Sequence, residues 1–285
     1  MFNTTNLERR FWVLTQLVFS VAMIIVTKRI LGVGAEPLVM TWEMLAIAGL
    51  ILFLMLVRRG EKLKKDEVKE LIIPGIVGGG LAYWLGFLGL QQTQAANYAF
   101  LTKSTVVFTC ILAFLLLKEK WTVNKTWAIL LIILGSFLLS TKGKLGASNG
   151  GELLVLASSF CYAISYVFAA KSMKKVSALT MATYRTLIGA LVLFSICLIR
   201  GNQLWWVDGQ IVLGGLIVAI SVLSAHKIMR ISDASYMVLM SSAIPIATAI
   251  LMIIFFGEKM ETIQILGAGT IMLGTWFTEI SPTKT

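Results

Sequence analysis

The sequence predicts an all-α integral membrane protein of ten transmembrane helices, arranged as two inverted five-helix repeats. Three observations carry this expectation. Hydrophobic residues make up 58% of the 285 residues, charged residues 14%, and the mean hydropathy is +0.86. Soluble domains run at roughly 45–50% apolar and about 25% charged, so one globular core cannot bury this much apolar surface. The apolar residues fall into ten runs, most of them near the roughly 20 residues that span a hydrocarbon core. The two halves of the chain also repeat a set of residues at a nearly constant offset.

The runs lie at approximately 11–31, 37–57, 71–90, 95–117, 123–141, 152–170, 177–199, 209–226, 233–256 and 262–280. Short polar separators divide them: Arg58-Arg59-Gly60 onward to Glu70, Lys118-Glu119-Lys120, Lys142-Gly143-Lys144, Lys174-Lys175 and Arg200-Gly201-Asn202. In lipid, a continuous apolar run of this length must be helical, because no water satisfies unpaired backbone groups. The fifth and eighth runs have the shortest uninterrupted apolar cores. Ten spans leave no room for a separate soluble domain. The first run is long and no small-residue cleavage site follows it, so no cleavable signal peptide is expected.

The net charge of +11 comes from basic residues dispersed among short loops, which excludes a nucleic-acid-binding reading. With the N-terminus inside, 17 Lys and Arg fall on the inner side and 6 on the outer, while Lys103 and Arg185 lie within helices. Basic loops face the cytoplasm, so both termini are expected there, in a multi-pass protein of the inner, cytoplasmic membrane. Trp12, Trp121, Trp127, Trp205, Trp206 and Trp276 fall near helix ends, as an aromatic belt requires. Cys110, Cys161 and Cys197 sit inside apolar runs without metal-site spacing and read as buried free thiols.

The internal correspondence sets the domains at 1–145 and 146–285. Leu112, Glu119, Lys120, Leu134 and Gly135 match Leu251, Glu258, Lys259, Leu273 and Gly274 at an offset of 139. Ala96, Tyr98, Leu101 and Ser104 match Ala234, Tyr236, Leu239 and Ser242 at 138, and Thr41-Trp42-Glu43 aligns with Thr183-Tyr184-Arg185 at 142. Each half holds five spans. Five is odd, so the second copy enters the membrane from the opposite side, as in secondary carriers whose halves rock about a central site.

Charges inside the membrane are costly and therefore informative. Glu43 lies about six residues into the second helix and Lys103 about eight into the fourth, roughly 9 and 12 Å below the outer boundary at 1.5 Å per residue. Either they form a locking ion pair or they line a cavity that meets substrate or a proton. Arg185, about eight residues into the seventh helix, is expected nearer the cytoplasmic half, as a ligand or as a packing residue. Trp42 and Tyr184 directly precede two of these charges, and Tyr83, Trp84, Tyr98 and Tyr236 fall near the presumed centre. Asn97 and Tyr98 occupy places equivalent to Ser235 and Tyr236. An aromatic box beside a carboxylate suits an organic cation or an aromatic amino acid; ordinary packing is the alternative for each ring. Gly78-Gly79-Gly80 and Gly214-Gly215 permit close helix approach, and Pro245 breaks a backbone hydrogen bond. Glu119 and Glu258 read as caps or loop ion pairs.

No catalytic arrangement is present: the one histidine, His226, falls beside Lys227 near a helix end, and there is no nucleotide loop. The chain is read as no enzyme, with no cofactor and no metal, and a channel or scaffold is the rival class. Uphill transport would need an ion gradient or exchange. Glu43 is the candidate for proton coupling; exchange and facilitated diffusion stay open beside it.

The segments ending in Leu117-Lys118-Glu119-Lys120 and Phe256-Gly257-Glu258-Lys259, each after a long apolar helix, together with Pro245, resemble the EamA-type members of the drug/metabolite transporter superfamily. The first copy departs from the pattern, with Val107 in the region corresponding to Pro245. The resemblance covers nearly the whole chain. It implies an alternating-access carrier of a small organic metabolite, its cavity lined by the first four helices of each repeat. One Glu and two cations within the membrane favour an amino acid or similar zwitterion; a proton-coupled multidrug or organic-cation exporter is the alternative. The expected partners are a small-molecule substrate and the bilayer, with the chain a monomer or homodimer.

Overall fold

The computed structural model describes residues 4–92, 98, 100–144, 150–202, 208–244, 246–247 and 261–279. Among them the regular structure is all helical. We number the helices α1 (Thr4–Gly32), α2 (Pro37–Arg58), α3 (consecutive pieces Val68–Ile73, Pro74–Leu81 and Ala82–Gln92), α4 (Ser104–Leu112, continued by Ala113–Leu117), α5 (Val123–Thr141), α6 (Gly151–Ser172), α7 (Ala178–Arg200), α8 (Gly209–Ile231), α9 (Ala234–Ser241) and α10 (Thr262–Glu279). Among the described residues, seven helices are long and apolar enough to cross a membrane: they include α2, α5, α6, α7 and α8, with 6–27 of α1 and 68–86 of α3. The fifth and eighth runs, the weakest in the sequence, are thus both complete spans.

Local chemistry sets the boundaries. Glu36, Thr122, Ser177, Asp208 and Asp233 each accept a backbone N–H three residues on, opening α2, α5, α7, α8 and α9. Such caps satisfy donors that the first helical turn leaves without a partner. α4, α5 and α7 stop at left-handed residues, Lys118 (φ 57°), Lys142 (φ 53°) and Gly201 (φ 68°).

Two departures from simple spans matter. Pro74–Leu81 of α3 is π-helical. The fourth run, expected to be one helix with Lys103 well inside it, breaks at Thr102–Lys103, so that Lys103 is the N-cap of α4. A matching break follows α9 at Ser242–Ala243, where Ser242 N–H bonds Leu239 O and Ala243 N–H bonds Met240 O. Thr102–Lys103 and Ser242–Ala243 are 140 residues apart, close to the offset that relates the two halves.

Between the two halves the main packed pairs among the described residues are α1–α8, α2–α7, α2–α8, α3–α6, α3–α7, α4–α6, α4–α9, α1–α9 and α5–α10, with a slighter α5–α9 contact; α7–α8 packs within the second half. Exchanging α1–α5 for α6–α10 maps these nine main pairs onto one another. Small residues allow the closest approaches: a Cβ on Gly135 of α5 would lie 2.6 Å from Gly267 O of α10. Two apolar clusters form the core, one among α2, α7 and α8 with Ile30 of α1, the other among α4, α5, α6, α8 and α9 with Leu71 of α3 and Ala178 and Met181 of α7. Outward-facing Leu130, Leu134, Leu266 and Leu273 of α5 and α10 are exposed, as lipid-facing side chains are.

Loop contacts sort the helix ends. Glu70 pairs with Lys175 and Ser177 donates to Glu61. Glu119 reaches the start of α9, and Arg9 of α1 lies 4.9 Å from the Tyr236 ring centroid. The loops between α2 and α3, α4 and α5, α6 and α7, and α8 and α9 therefore share one end, here the basic end. Lys142 pairs with Glu261 at 2.6 Å at the opposite end.

Candidate functional site

Arg185 is the centre of the polar interior. It is 3% exposed and sits four residues before the midpoint of α7, about 6 Å along the axis. Its Nη2 donates to Gly78 O at 3.0 Å and its Nε to Ser165 Oγ at 3.3 Å. The π-helical segment explains the first bond. Ala82 N–H bonds Val77 O, five residues back. Where that ladder hands over to α-helical register, one carbonyl drops out, and Gly78 O, next in line, is the one Arg185 takes. No carboxylate among the described residues pairs with the guanidinium. A buried charge normally has such a partner; Arg185 is held instead by the dipoles of a carbonyl and a hydroxyl.

A row of tyrosines leads away from it. Its Cζ lies 6.0 Å from the Tyr166 ring centroid, within reach of a cation–π contact. Tyr166 stacks on Tyr162 at 6.0 Å, and Tyr162 meets Tyr83 edge-on at 5.4 Å. Tyr98 reaches the same group, its hydroxyl near Gly86 of α3. The rings of Tyr166, Tyr162 and Tyr83 thus form a chain of contacts across α6 and α3 that starts at the Arg185 guanidinium. Ser158, Tyr162, Ser165 and Tyr166 form one helical stripe on α6.

The other expected site residues distribute unevenly. Lys103 is half-buried at the α4 break, and no carboxylate among the described residues is within ion-pair distance of it, so the locking pair with Glu43 does not form. Glu43, 2% exposed, lies toward the opposite end of the fold from the basic loops, packed in the α2–α7–α8 cluster beside Met44 and Leu45. Trp42 meets Phe194 of α7 at a tilt of 59° and 5.1 Å between ring centroids, and α2 pairs antiparallel with α7, which sets Glu43 about eight residues, roughly 12 Å, from the level of Arg185. Tyr184 is half-buried and touches both apolar clusters. Trp84 lines a small cavity of about 30 Å³ with Glu36, Thr41 and Arg200. Ser235 and Tyr236, expected near the centre, lie at the basic end. Ser235 Oγ and Ala234 N–H donate to Glu119, which Lys125 Nζ also meets at 3.4 Å. Asn97, Pro245, Glu258 and Lys259 lie outside the described residues.

A cavity of about 350 Å³ opens at the basic end, lined among others by Leu117, Lys118, Lys174, Ala170, Met229 and Arg230. Ala170 is one turn beyond Tyr166 on α6. Met229 and Arg230 are one turn beyond His226 on α8. Tyr166 and His226 thus each stand one helical turn from a residue of the cavity wall, and the Arg185 guanidinium lies against Tyr166.

A single family model, that of the EamA-like transporter family, matches residues 10–141 and again 149–280. The chain belongs to this family. Among its relatives is the uncharacterized transporter YyaM of Bacillus subtilis (strain 168), 25% identical over 250 residues, which cover 82% of this chain and 81% of YyaM. An uncharacterized transporter of Archaeoglobus fulgidus is 22% identical over 232 residues, covering 79% and 82% of the two chains. A protein crystal structure at 16% identity superposes with a TM-score of 0.78 over 98% of this chain and 99% of its own, a likeness of fold. This EamA-like transporter is accordingly a multi-pass membrane protein and not an enzyme.

Sequence reasoning missed Ser158, Tyr162, Ser165, Tyr166 and His226 in this transporter. The α6 stripe was legible as polar groups at positions i, i+4, i+7 and i+8 of an apolar helix. His226, read as peripheral from its place near a helix end, is 1% exposed. The helix continues past it to Ile231, and its ring turns inward.

Proposed function

We propose that this EamA-like transporter is a secondary carrier of a small metabolite bearing a carboxylate, an amino acid or similar zwitterion, with Arg185 as the carboxylate-binding group. The observation that carries the reading is the buried Arg185 guanidinium, held by Gly78 O and Ser165 Oγ and facing the Tyr166 ring rather than a carboxylate. Removing a carboxylate from water is costly unless it meets a charged, hydrogen-bonding partner, and a guanidinium supplies both. The tyrosine rings add apolar and quadrupolar surface for the rest of the substrate. Glu43, deeper toward the opposite end, is the counter-charge on the path and the candidate for proton coupling.

The main packed pairs between the halves, which map onto one another on exchanging α1–α5 with α6–α10, and the matching helix breaks support two repeats at 1–145 and 146–285. Inverted repeats that rock about a midplane site give alternating access. The basic loops gathered at one end support a cytoplasmic location for that end and both termini, in the cytoplasmic membrane. In a cysteine-free background, a cysteine at Lys64 is expected to react with a membrane-impermeant maleimide only in inside-out vesicles, and one at Asn202 only in intact cells. Reversed labelling would overturn the orientation.

Transport is tested by counterflow in proteoliposomes with six probes: L-alanine, L-phenylalanine, lactate, 3-phenyllactate, propionate and 3-phenylpropionate. Internal unlabelled probe is expected to accelerate uptake of the labelled amino acids. Currents without such trans-stimulation would make the protein a channel. Movement of tetraphenylphosphonium and none of the six would make it an organic-cation exporter.

A further inference from the structure

His226 of α8 has no part in the site as drawn from Arg185 and the tyrosines, yet its surroundings are those of a binding group. Its Nδ1 lies 2.7 Å from Val222 O. A carbonyl oxygen only accepts, so Nδ1 carries the proton in that bond, and in the neutral ring Nε2 presents a lone pair. That Nε2 is buried, with the residue 1% exposed, and has no hydrogen-bond partner among the described residues. Buried polar atoms of this kind are rare, because each costs about 1–3 kcal/mol.

Its position gives the cost a purpose. Met229 and Arg230, three and four residues on, share its helix face and line the cavity at the basic end. Tyr166 stands in the same relation to Ala170 on α6. The Arg185 guanidinium lies 6.0 Å from the Tyr166 ring centroid, so Arg185 by way of Tyr166, and His226 through its own helix, both approach the wall of this one cavity.

We infer that His226 is a second substrate-facing group, whose Nε2 accepts a hydrogen bond from an N–H or O–H on the substrate whose carboxylate Arg185 holds. The inference rests on the carboxylate reading of Arg185. It adds to that reading the place of the donor, beside the carboxylate, as in the 2-amino acids, and extends it to the 2-hydroxy acids. An acid that lacks the donor leaves Nε2 buried and without a partner, and binds more weakly.

The test is a set of dissociation constants, measured by thermal-shift titration of the purified full-length protein with the same six probes. Wild-type protein is expected to bind L-alanine or lactate, or L-phenylalanine or 3-phenyllactate, at least about tenfold more tightly than the matching propionate, the order expected for one buried acceptor. His226→Met is expected to reduce that ratio to about one while propionate affinity holds. His226→Gln, whose side-chain carbonyl restores an acceptor, is expected to regain the preference. Equal binding of the amino, hydroxy and unsubstituted acids by wild-type protein overturns the inference without any variant, and so does a wild-type ratio in His226→Met. Both outcomes leave the carboxylate reading of Arg185 standing. Binding of none of the six overturns both.

Discussion

Arg185→Ala is expected to lower uptake of the carboxylate probes about 30- to 150-fold, while the protein still elutes as a monodisperse, folded species. The magnitude corresponds to the roughly 2–3 kcal/mol of a hydrogen bond to a charged group, at about 1.4 kcal/mol per factor of ten. The same substitution removes the bonds to Gly78 O and Ser165 Oγ. It also relieves a buried charge of its desolvation cost, so the effect on folding is smaller than the effect on transport. Arg185→Lys is the sharper variant. It keeps the charge, but an ammonium cannot span Gly78 O, Ser165 Oγ and a substrate carboxylate with one planar fork. A loss of at least about tenfold is expected. Uptake at the wild-type rate in Arg185→Ala, measured in proteoliposomes, would return the residue to a packing role.

The second large effect is on stability. In the α3–α7 contact, a Cβ added at Gly79 would lie 2.4 Å from Arg185 O and 3.0 Å from Gly189 Cα. Both are backbone atoms, which cannot rotate away as a side chain can. Gly79→Ala must therefore push α3 off α7, and overpacking of this kind costs about 1–3 kcal/mol. The expected result is a clearly lower melting temperature in detergent and loss of transport, since the displaced strand of contacts includes the Gly78 carbonyl that holds Arg185. Gly269→Ala on α10 is the control. Nothing lies within 4 Å of its added Cβ, and alanine in a helix is favoured over glycine by roughly 0.5–1 kcal/mol. Equal melting temperatures for Gly79→Ala and wild type would show that the two helices do not pack this closely.

Three kinds of information decided different parts of this protein. Composition and hydrophobic run length determined the class and the ten helices, because a chain in lipid must satisfy every backbone group within its own helix. Residue identity in the caps and loops determined the boundaries and the orientation argument, since Glu36, Thr122, Ser177, Asp208 and Asp233 act on the next few residues only. The sequence also singled out Arg185 as the buried charge worth explaining. What it carried no signal for was which polar groups meet. Glu43 and Lys103 share an estimated depth yet do not pair, because depth is one coordinate and rotation about each helix axis is another. Ser235 and Tyr236 correspond to Asn97 and Tyr98 in sequence. The second copy starts from the other side, so they stand at the basic end with Glu119. His226 reads as peripheral until α8 is seen to run a further turn and to face inward. The Gly78 carbonyl becomes an acceptor only when α3 changes helical register against α7. Each of these is a contact between distant segments, and helix rotation and register are set by packing among all ten helices, which only the tertiary structure decides.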